Sequence, residues 1–535
     1  MDKETTDPSQ AAHRLGAVIE VSGLRISCEL IGDPDGSGSY NQVQIGDIIR
    51  IPTATTVAFG FVDRVAFEPA PSGRGPARAE VDLLGELKTD RGKREPAFAR
   101  GVTIYPVLGA AIYRATEDDM VRIYGKPGAA TLSIGSLHQF PDKTAYLKSE
   151  AFFSKNSAIV GTTGAGKSCA LALILRTALK AHPHGHVLLL DPHGEYGPAF
   201  SDLAENITPE DLCLPYWLFG FEEIAQVLCS RDPVSRSRET LILKEAIVHA
   251  KRDFLQDPER AAKLTVDTPT PYLLQEALWH INNEMGKLLK PDTLQPYTRL
   301  ASNIEAMSRD IRYRFMFEPD WIHQDMADIL GRILRIPVDR KPISILDISA
   351  VPLEITNVVV SLICRLVFDF AVRGDRRNVM PILVACDEAH RYIPRDEVPG
   401  FEPARLAFGR IAKEGRKYGV SLCLVTQRPS ELSETVLSQC STVIALRMSN
   451  SEDQDYVLSR LPDSASGLLS MLPTLGQQEA ILVGEGTVHP MRVRFGDLEA
   501  QHRPRTAPTS FPQAWDKDEK GRKYLTEVIQ RWRGW

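Results

Sequence analysis

Ser157-Ala-Ile-Val160-Gly161-Thr-Thr163-Gly164-Ala165-Gly166-Lys167-Ser168 is the stretch that decides the fold. Its last eight residues match G-x-x-x-x-G-K-[ST] at every fixed position. A short apolar run precedes them, and SCALALILRTALKA (168–181), of helix composition and without a breaker, follows. Glycines let the backbone wrap closely round phosphate oxygens with N–H groups turned inward, and the helix behind adds its positive end. Gly161, Thr163, Gly164, Ala165, Gly166, Lys167, Ser168 and Cys169 therefore read as a nucleotide-binding segment. In it Lys167 reaches the β/γ-phosphates and the Ser168 hydroxyl binds Mg²⁺. The competing reading, a glycine turn with a surface lysine, does not explain why the strand–turn–helix context is also present.

Working outward, HVLLLD (186–191) is a second apolar strand. Strand, glycine turn, helix and strand open a parallel α/β domain. ISILDIS (343–349), MPILVACDE (380–388), VSLCLVTQ (420–427) and STVIALRM (441–448) are near-continuous apolar strands. Such strands imply a mainly parallel sheet covered on both faces. From about 221 to 335 the chain is rich in helix formers and charge, which predicts a helical insertion. Before residue 110, Val43 and Ile45, Ile49 and Ile51, and Ala79, Val81 and Leu83 alternate with polar neighbours. That is the period of half-buried strands in a small β-barrel, with PAPSGRGPA (69–77) a loop by composition. The expected organisation is a disordered tail at 1–12, a β-barrel at 13–135, an ATPase domain at 136–500 and a C-terminal extension at 501–535.

Composition narrows the function classes. Lys+Arg is 63 against Asp+Glu 69, a formal net charge of -6 in 535 residues, so any nucleic-acid site must be a local basic patch. Eight cysteines without a C-x-x-C pair speak against a disulfide scaffold or a cysteine-rich zinc site. The polar N-terminus lacks the apolar core of a signal peptide. Val358 to Val372, interrupted by Arg365 and Asp369, reads as a buried helix rather than a membrane span. The expected setting is the cytoplasm, with no membrane partner.

Further chemistry gathers at strand ends. Asp387 and Glu388 close a buried strand at the edge where open α/β sheets bind ligands. Asp387 is placed to hold Mg²⁺ through water, and Glu388 to take a proton from an attacking water. Gln427, in Thr426-Gln-Arg-Pro429, is placed to orient that water or sense the γ-phosphate. Arg416, in AKEGRKYG (412–419), has two readings: an arginine finger supplied to a neighbouring subunit, or a solvated helix end. Arg447 is a weaker candidate of the same kind. Asp191 and Glu195, in Asp191-Pro-His193-Gly-Glu195-Tyr196, either approach the Mg²⁺ shell or cap structure; His193 has no set of partners for a metal.

These motifs together resemble the HerA family within the HerA/FtsK group of additional-strand P-loop ATPases, which have a RecA-like α/β fold. The resemblance is carried by GTTGAGKS, LLLDPHGEY, LPYWLFGFEE (214–223), VACDEAHRYIP, RIAKEGRKYGVSL, VTQRPSELSETVLSQCSTVIALRMSN and EAILVGEG (479–486). The β-rich N-terminus looks like the HerA–ATP-synthase barrel. The resemblance implies a homohexameric ring that uses ATP and Mg²⁺ to translocate or unwind double-stranded DNA through a central channel. On matching positions it implies Glu388 as the catalytic acid of the Walker B strand, Gln427 as the sensor and Arg416 as the finger across the subunit boundary. It also implies a separate effector, either a NurA-like or other nuclease or a sirtuin-like NAD-consuming protein, in DNA processing or antiviral defence. The alternative is an ATP-dependent ring scaffold that gates an effector with little translocation.

A translocating ring grips phosphates without regard to sequence, through Lys and Arg on pore loops. SRDPVSRSRET (230–240) offers Arg231, Arg236 and Arg238 in what reads as a polar loop, and HRYIPRDE (390–397) offers Arg391 and Arg395. A solvated surface is the other reading of both stretches. Near the C-terminus Tyr524, Leu525, Val528, Ile529 and Trp532 share one helical face, to dock a partner or to pack on the chain's own domain.

Overall fold

The computed structural model describes residues 14–23, 25–32, 43–70, 73–88, 97–128, 130–208, 210–255, 257–288, 290–396, 400–459, 466–505, 515 and 521–533. The tail expected at 1–12 lies outside them.

Alternating apolar residues build the first unit. Its strands are Arg14–Ser22 (β1), Arg25–Leu30 (β2), Ile48–Pro52 (β3), Val57–Ala70 (β4), Gly73–Lys88 (β5), Ala97–Arg100 (β6) and Ala111–Arg114 (β7). They run in the order β2-β1-β7-β3-β4-β5-β6, and a β2–β5 pairing closes six of them into a barrel with β6 appended to β5. Val18, Ile26, Ile49, Ile51, Val62 and Val81 fill its interior. The described residues of the stretch 69–77, which leave out 71 and 72, are not the loop its composition suggested. β4 runs on to Ala70 and β5 begins at Gly73 as an antiparallel ribbon, with Pro69 opposite Arg74. The register shifts between Phe67 and Pro69, and a bulge is where a strand tolerates proline.

The second sheet comprises Thr131–Leu137 (β8), Thr144–Lys148 (β9), Asn156–Val160 (β10), His186–Asp191 (β11), Ala204–Ile207 (β12), Ile343–Asp347 (β13), Ile382–Cys386 (β14), Val420–Thr426 (β15), Cys440–Leu446 (β16), Glu479–Gly484 (β17) and Met491–Phe495 (β18). Their order is β12-β13-β11-β14-β15-β10-β16-β17-β18-β8-β9. Pairing is parallel from β12 to β16 and antiparallel from β16 to β9. β15 therefore lies between the phosphate-loop strand β10 and the acid-bearing strand β14. The parallel strands β10, β14 and β15 are buried along their whole length, as their unbroken apolar sequences require.

Helices cover both faces. Lys167–Ala181 packs Leu171, Ile174, Leu175 and Ala178 onto one. Leu353–Arg373 lies against the other; its apolar stretch is long enough to cross a membrane by composition, yet 67% of that stretch is buried inside the fold. Phe221–Leu228, Pro233–Leu255, Leu274–Gly286, Pro291–Arg309 and Met326–Leu334 form the helical region between β12 and β13. Glu223, only 3% exposed, anchors its base: it accepts from Ser361 Oγ (3.0 Å) and from Arg365 Nε and Nη2 (3.1 and 3.0 Å). The same hydrophobic cluster runs on into the barrel through Ile48, Phe59, Phe61, Leu84 and Leu87, so barrel and sheet share a core.

The C-terminal helix Arg522–Trp532 buries none of its residues.

Candidate active site

The site lies along the C-terminal edge of β11, β14, β15 and β10. Residues 161–166 leave β10 as a tight loop with Gly164 at φ +74° and Gly166 at φ +101°, a region that β-carbons disfavour. A β-carbon on Gly161 would sit 2.9 Å from that of Leu446, so the loop lies directly against β16. Thr162 ties the two together: its N–H and hydroxyl both donate to the Arg447 carbonyl (2.9 and 3.0 Å). The Arg447 side chain is half-buried beside this loop.

Lys167 is 8% exposed, and its Nζ donates to the Thr162 carbonyl (3.1 Å) of its own loop. Burial lowers its pKa, while Glu388, Asp387 and Glu195 oppose that shift. A buried ammonium facing carboxylates, with donors to spare, suits a polyanion.

Asp387 follows β14 and still pairs with β11 through its N–H to the Leu190 carbonyl (3.2 Å). Its Oδ1 accepts from the Glu388 N–H (2.8 Å) and its Oδ2 from the Tyr196 hydroxyl (3.0 Å). Burial raises the Asp387 pKa, and these donors and Lys167 oppose the rise. Glu388 takes a left-handed conformation (φ +49°), strain of the kind that functional sites concentrate. Its Oε2 is buried without a hydrogen-bond partner. His390 Nδ1 stands 3.4 Å away, but burial pushes that ring's pKa down to about 4. It is therefore neutral at pH 7 and its Nδ1 is engaged with Thr426 Oγ1 (3.1 Å). A buried carboxylate oxygen with no donor is what a proton-accepting group needs. Gln427, at the end of β15, touches the phosphate loop by a hydrogen bond between its Oε1 and the Thr163 hydroxyl.

Tyr196 is the residue that sequence reading quoted without assigning. It is fully buried; its N–H donates to Asp191 Oδ2 (2.9 Å), and its hydroxyl donates to Asp387 Oδ2 (3.0 Å). It lies beside Ser168, the other residue expected to hold magnesium. The sole sequence signal was its place at the end of a strand-edge motif. Asp191 also accepts from His193 N–H (3.2 Å), so it caps its own turn, and burial raises its pKa. Glu195 is half-buried, and burial followed by the Asp387 charge raises its pKa. His193 is exposed.

Magnesium fits this donor set: the Ser168 hydroxyl and the Asp387 carboxylate both lie beside the Tyr196 hydroxyl, with the orphaned Glu388 oxygen alongside.

Arg416 does not join these groups. It is exposed in the turn Gly415–Tyr418, at the opposite end of β15 from Gln427. The corner is tight: a β-carbon on Gly415 would sit 2.5 Å from the Val420 carbonyl oxygen, and Gly419 is at φ +79°. Asn156 braces it, donating to the Ala412 carbonyl (2.8 Å) and accepting from the Leu422 N–H (3.1 Å).

The basic candidates fall apart too. Arg236 and Arg238 lie in the helix Pro233–Leu255, not in a polar loop. Pro233 starts that helix, and Asp232 caps it by accepting from the Ser235 N–H (2.8 Å), a pairing that outweighs the polar composition. Arg231 and Arg238 are exposed and Arg236 is half-buried. Arg391 is exposed in the turn Ala389–Arg391, three residues from Glu388. Arg395 lies over the Tyr456 ring (5.5 Å).

Residues 132–367 match the family described as "Helicase HerA, central domain". The chain is 28% identical to the DNA double-strand break repair helicase HerA of Pyrococcus furiosus over 425 residues, 72% of this chain and 73% of that protein. By both matches the chain is similar to HerA helicases. It is an ATPase of the helicase type. A probable helicase of Methanocaldococcus jannaschii is 26% identical over 82% of this chain and 80% of its own length. The HerA helicase of Saccharolobus solfataricus is 25% identical over 74% of each. Among solved structures, VirB4 of Thermoanaerobacter pseudethanolicus aligns with a TM-score of 0.49 and 15% identity over 70% of this chain and 99% of its own. The plasmid coupling protein TrwB in complex with ADP and Mg²⁺ aligns at 0.42 and 12%, over 73% and 94%.

Proposed function

We propose that this chain is a HerA-family ATPase that works as a homohexameric motor that translocates or unwinds double-stranded DNA. The supporting observation is the convergence of Lys167, Asp387, Glu388 and Gln427 on one sheet edge, while Arg416 stands at the far end of the same sheet. ATP is seated with its phosphates on the loop 161–168. Ser168 and Asp387 hold magnesium, which when bound neutralises charge on the phosphates. Glu388 accepts a proton from the attacking water through its unpaired Oε2, and Gln427 reports the γ-phosphate to the loop through Thr163.

Arg416 acts on the nucleotide of the neighbouring protomer. A ring is the geometry in which a residue pointing away from its own site completes the next one. DNA is held by exposed arginines, of which Arg391, three residues from Glu388, is best placed to sense hydrolysis. Relatives bearing the names DNA double-strand break repair helicase support the substrate. By the family resemblance the motor serves a separate effector, a nuclease or an NAD-consuming enzyme, in DNA processing or phage defence.

The test is ATP turnover with and without duplex DNA, on wild type and Glu388→Gln, together with the mass of the assembly. A hexamer whose turnover rises with duplex and is lost in the variant is expected. A monomer with DNA-indifferent hydrolysis overturns the proposal.

A further inference from the structure

The unpaired Glu388 Oε2 needs a physical cause, because buried carboxylate oxygens normally find donors. A ring able to donate stands beside it. His390 Nδ1 is 3.4 Å from Glu388 Oε2, and the two side chains are 10% and 11% exposed. The ring nevertheless makes no hydrogen bond to the acid. The same nitrogen lies 3.1 Å from Thr426 Oγ1.

Thr426 decides which way that contact runs. It ends β15, is fully buried, and its Oγ1 already accepts from the Arg428 N–H (3.1 Å). The hydroxyl proton, shut off from water, needs an acceptor, and among the described residues the one in reach is His390 Nδ1. A neutral imidazole has one donor and one acceptor nitrogen, so Thr426 donates to Nδ1 and the ring proton sits on Nε2. Burial keeps the ring neutral; Glu431 opposes that effect, and Arg391, Arg428 and Lys167 reinforce it. With its lone pair taken by Thr426, Nδ1 has no proton to offer Glu388.

The surrounding backbone holds the pair in place. Arg395 N–H donates to the Glu431 carbonyl (2.7 Å) and Ser433 N–H to the Ile393 carbonyl (2.9 Å), with Pro394 bridged to Leu432. The segment after Glu388 and the segment after Gln427 are thus laced together, and the His390–Thr426 contact lies at the start of both. We propose that His390 is a positioning residue for ATP hydrolysis: Thr426 holds its ring in the tautomer that denies Glu388 a donor, so Glu388 Oε2 stays open for the proton of the attacking water. The inference rests on the reading of Glu388 as proton acceptor. It adds a link between two strand ends. The hydroxyl that sets the His390 tautomer also receives the Arg428 N–H, and so fixes the turn that carries Gln427.

The experiment compares full-length wild type, Thr426→Val, Thr426→Ser and the double variant Thr426→Val with His390→Phe, each by steady-state phosphate release and by ATP titration. Valine keeps the shape of threonine and removes the hydroxyl. The ring can then carry its proton on Nδ1 and donate to Glu388 Oε2, so kcat falls about 10- to 100-fold with ATP affinity unchanged. Thr426→Ser keeps the hydroxyl and the wild-type kcat. Phenylalanine at 390 fills the space of the ring without a donor, so the double variant recovers most of the turnover that Thr426→Val loses. Normal kcat or weakened ATP binding in Thr426→Val, a serine variant as slow as the valine one, or a double variant no faster than Thr426→Val overturns the inference. Glu388→Gln, run alongside, separates this from the parent reading: normal hydrolysis in that variant removes Glu388 as proton acceptor, whatever Thr426→Val does.

Discussion

Arg416 offers the most demanding prediction. β15 has seven residues from Val420 to Thr426, and at about 3.3 Å per residue the strand is roughly 20 Å long. Arg416 stands beyond one end and Gln427 beyond the other, so the guanidinium cannot reach the phosphates on its own loop. Loss of an arginine finger lowers turnover by about 10³- to 10⁵-fold, equivalent to roughly 4–7 kcal/mol of transition-state stabilisation. Arg416→Ala and Lys167→Ala should each be inactive alone, for different reasons. In mixed rings the intact phosphate loop of an Arg416→Ala protomer faces the intact Arg416 of a Lys167→Ala neighbour at some interfaces. Random assembly of equal amounts makes about one interface in four complete, because a head-to-tail interface takes the loop from one protomer and the finger from the next. Turnover by the mixture should therefore recover to about a quarter of the wild-type rate per site. Recovery is measured as phosphate release after co-assembly, with mixing confirmed by differently tagged protomers. Confirmed mixed rings that stay as inactive as their parents, or an Arg416→Ala variant with normal turnover, would refute the reasoning.

Glu388→Gln should retain ATP binding and lose about 10²- to 10⁴-fold in hydrolysis, read by titration and phosphate release; a modest loss would remove Glu388 as proton acceptor. Tyr196→Phe strips a donor from a buried carboxylate oxygen and should cost about 1.5–3 kcal/mol in urea unfolding, with no change if the hydroxyl bond is unimportant. Lys251, 2% exposed and donating to the carbonyls of Val266 (2.7 Å) and Thr268 (2.6 Å), has its pKa pushed down to about 8 by burial. The folded chain then gives up this proton near pH 8, whereas the unfolded chain keeps it to about 10.5, so stability rises with pH across that window. The rise is at most about 3 kcal/mol, and Lys251→Met should flatten it relative to wild type; an identical slope in both proteins would contradict the assignment.

How far the sequence was legible depended on whether the information was local. The phosphate loop is contiguous, with its strand and helix beside it, and Asp387-Glu388 and Gln427 each end an unbroken apolar run. Such runs are central strands, and their C-terminal ends must meet at one edge. Contacts between distant segments were not legible. Tyr196 meets Asp387 across 191 positions, and neither residue's neighbours announce the other. Composition misled in two places for local reasons it does not weigh. Asp232 and Pro233 start a helix through an arginine-rich polar stretch, and a bulge lets β4 run on through Pro69.

The central claim is that nucleotide chemistry at the Lys167–Glu388 edge moves the protein along duplex DNA. It is tested most directly by displacement of a third strand from a triplex that lies in the path of the motor. Wild type with ATP and magnesium should release the third strand at a rate that follows ATP turnover, and Lys167→Ala should release none. Vigorous duplex-dependent hydrolysis by wild type with the third strand left in place would contradict the account.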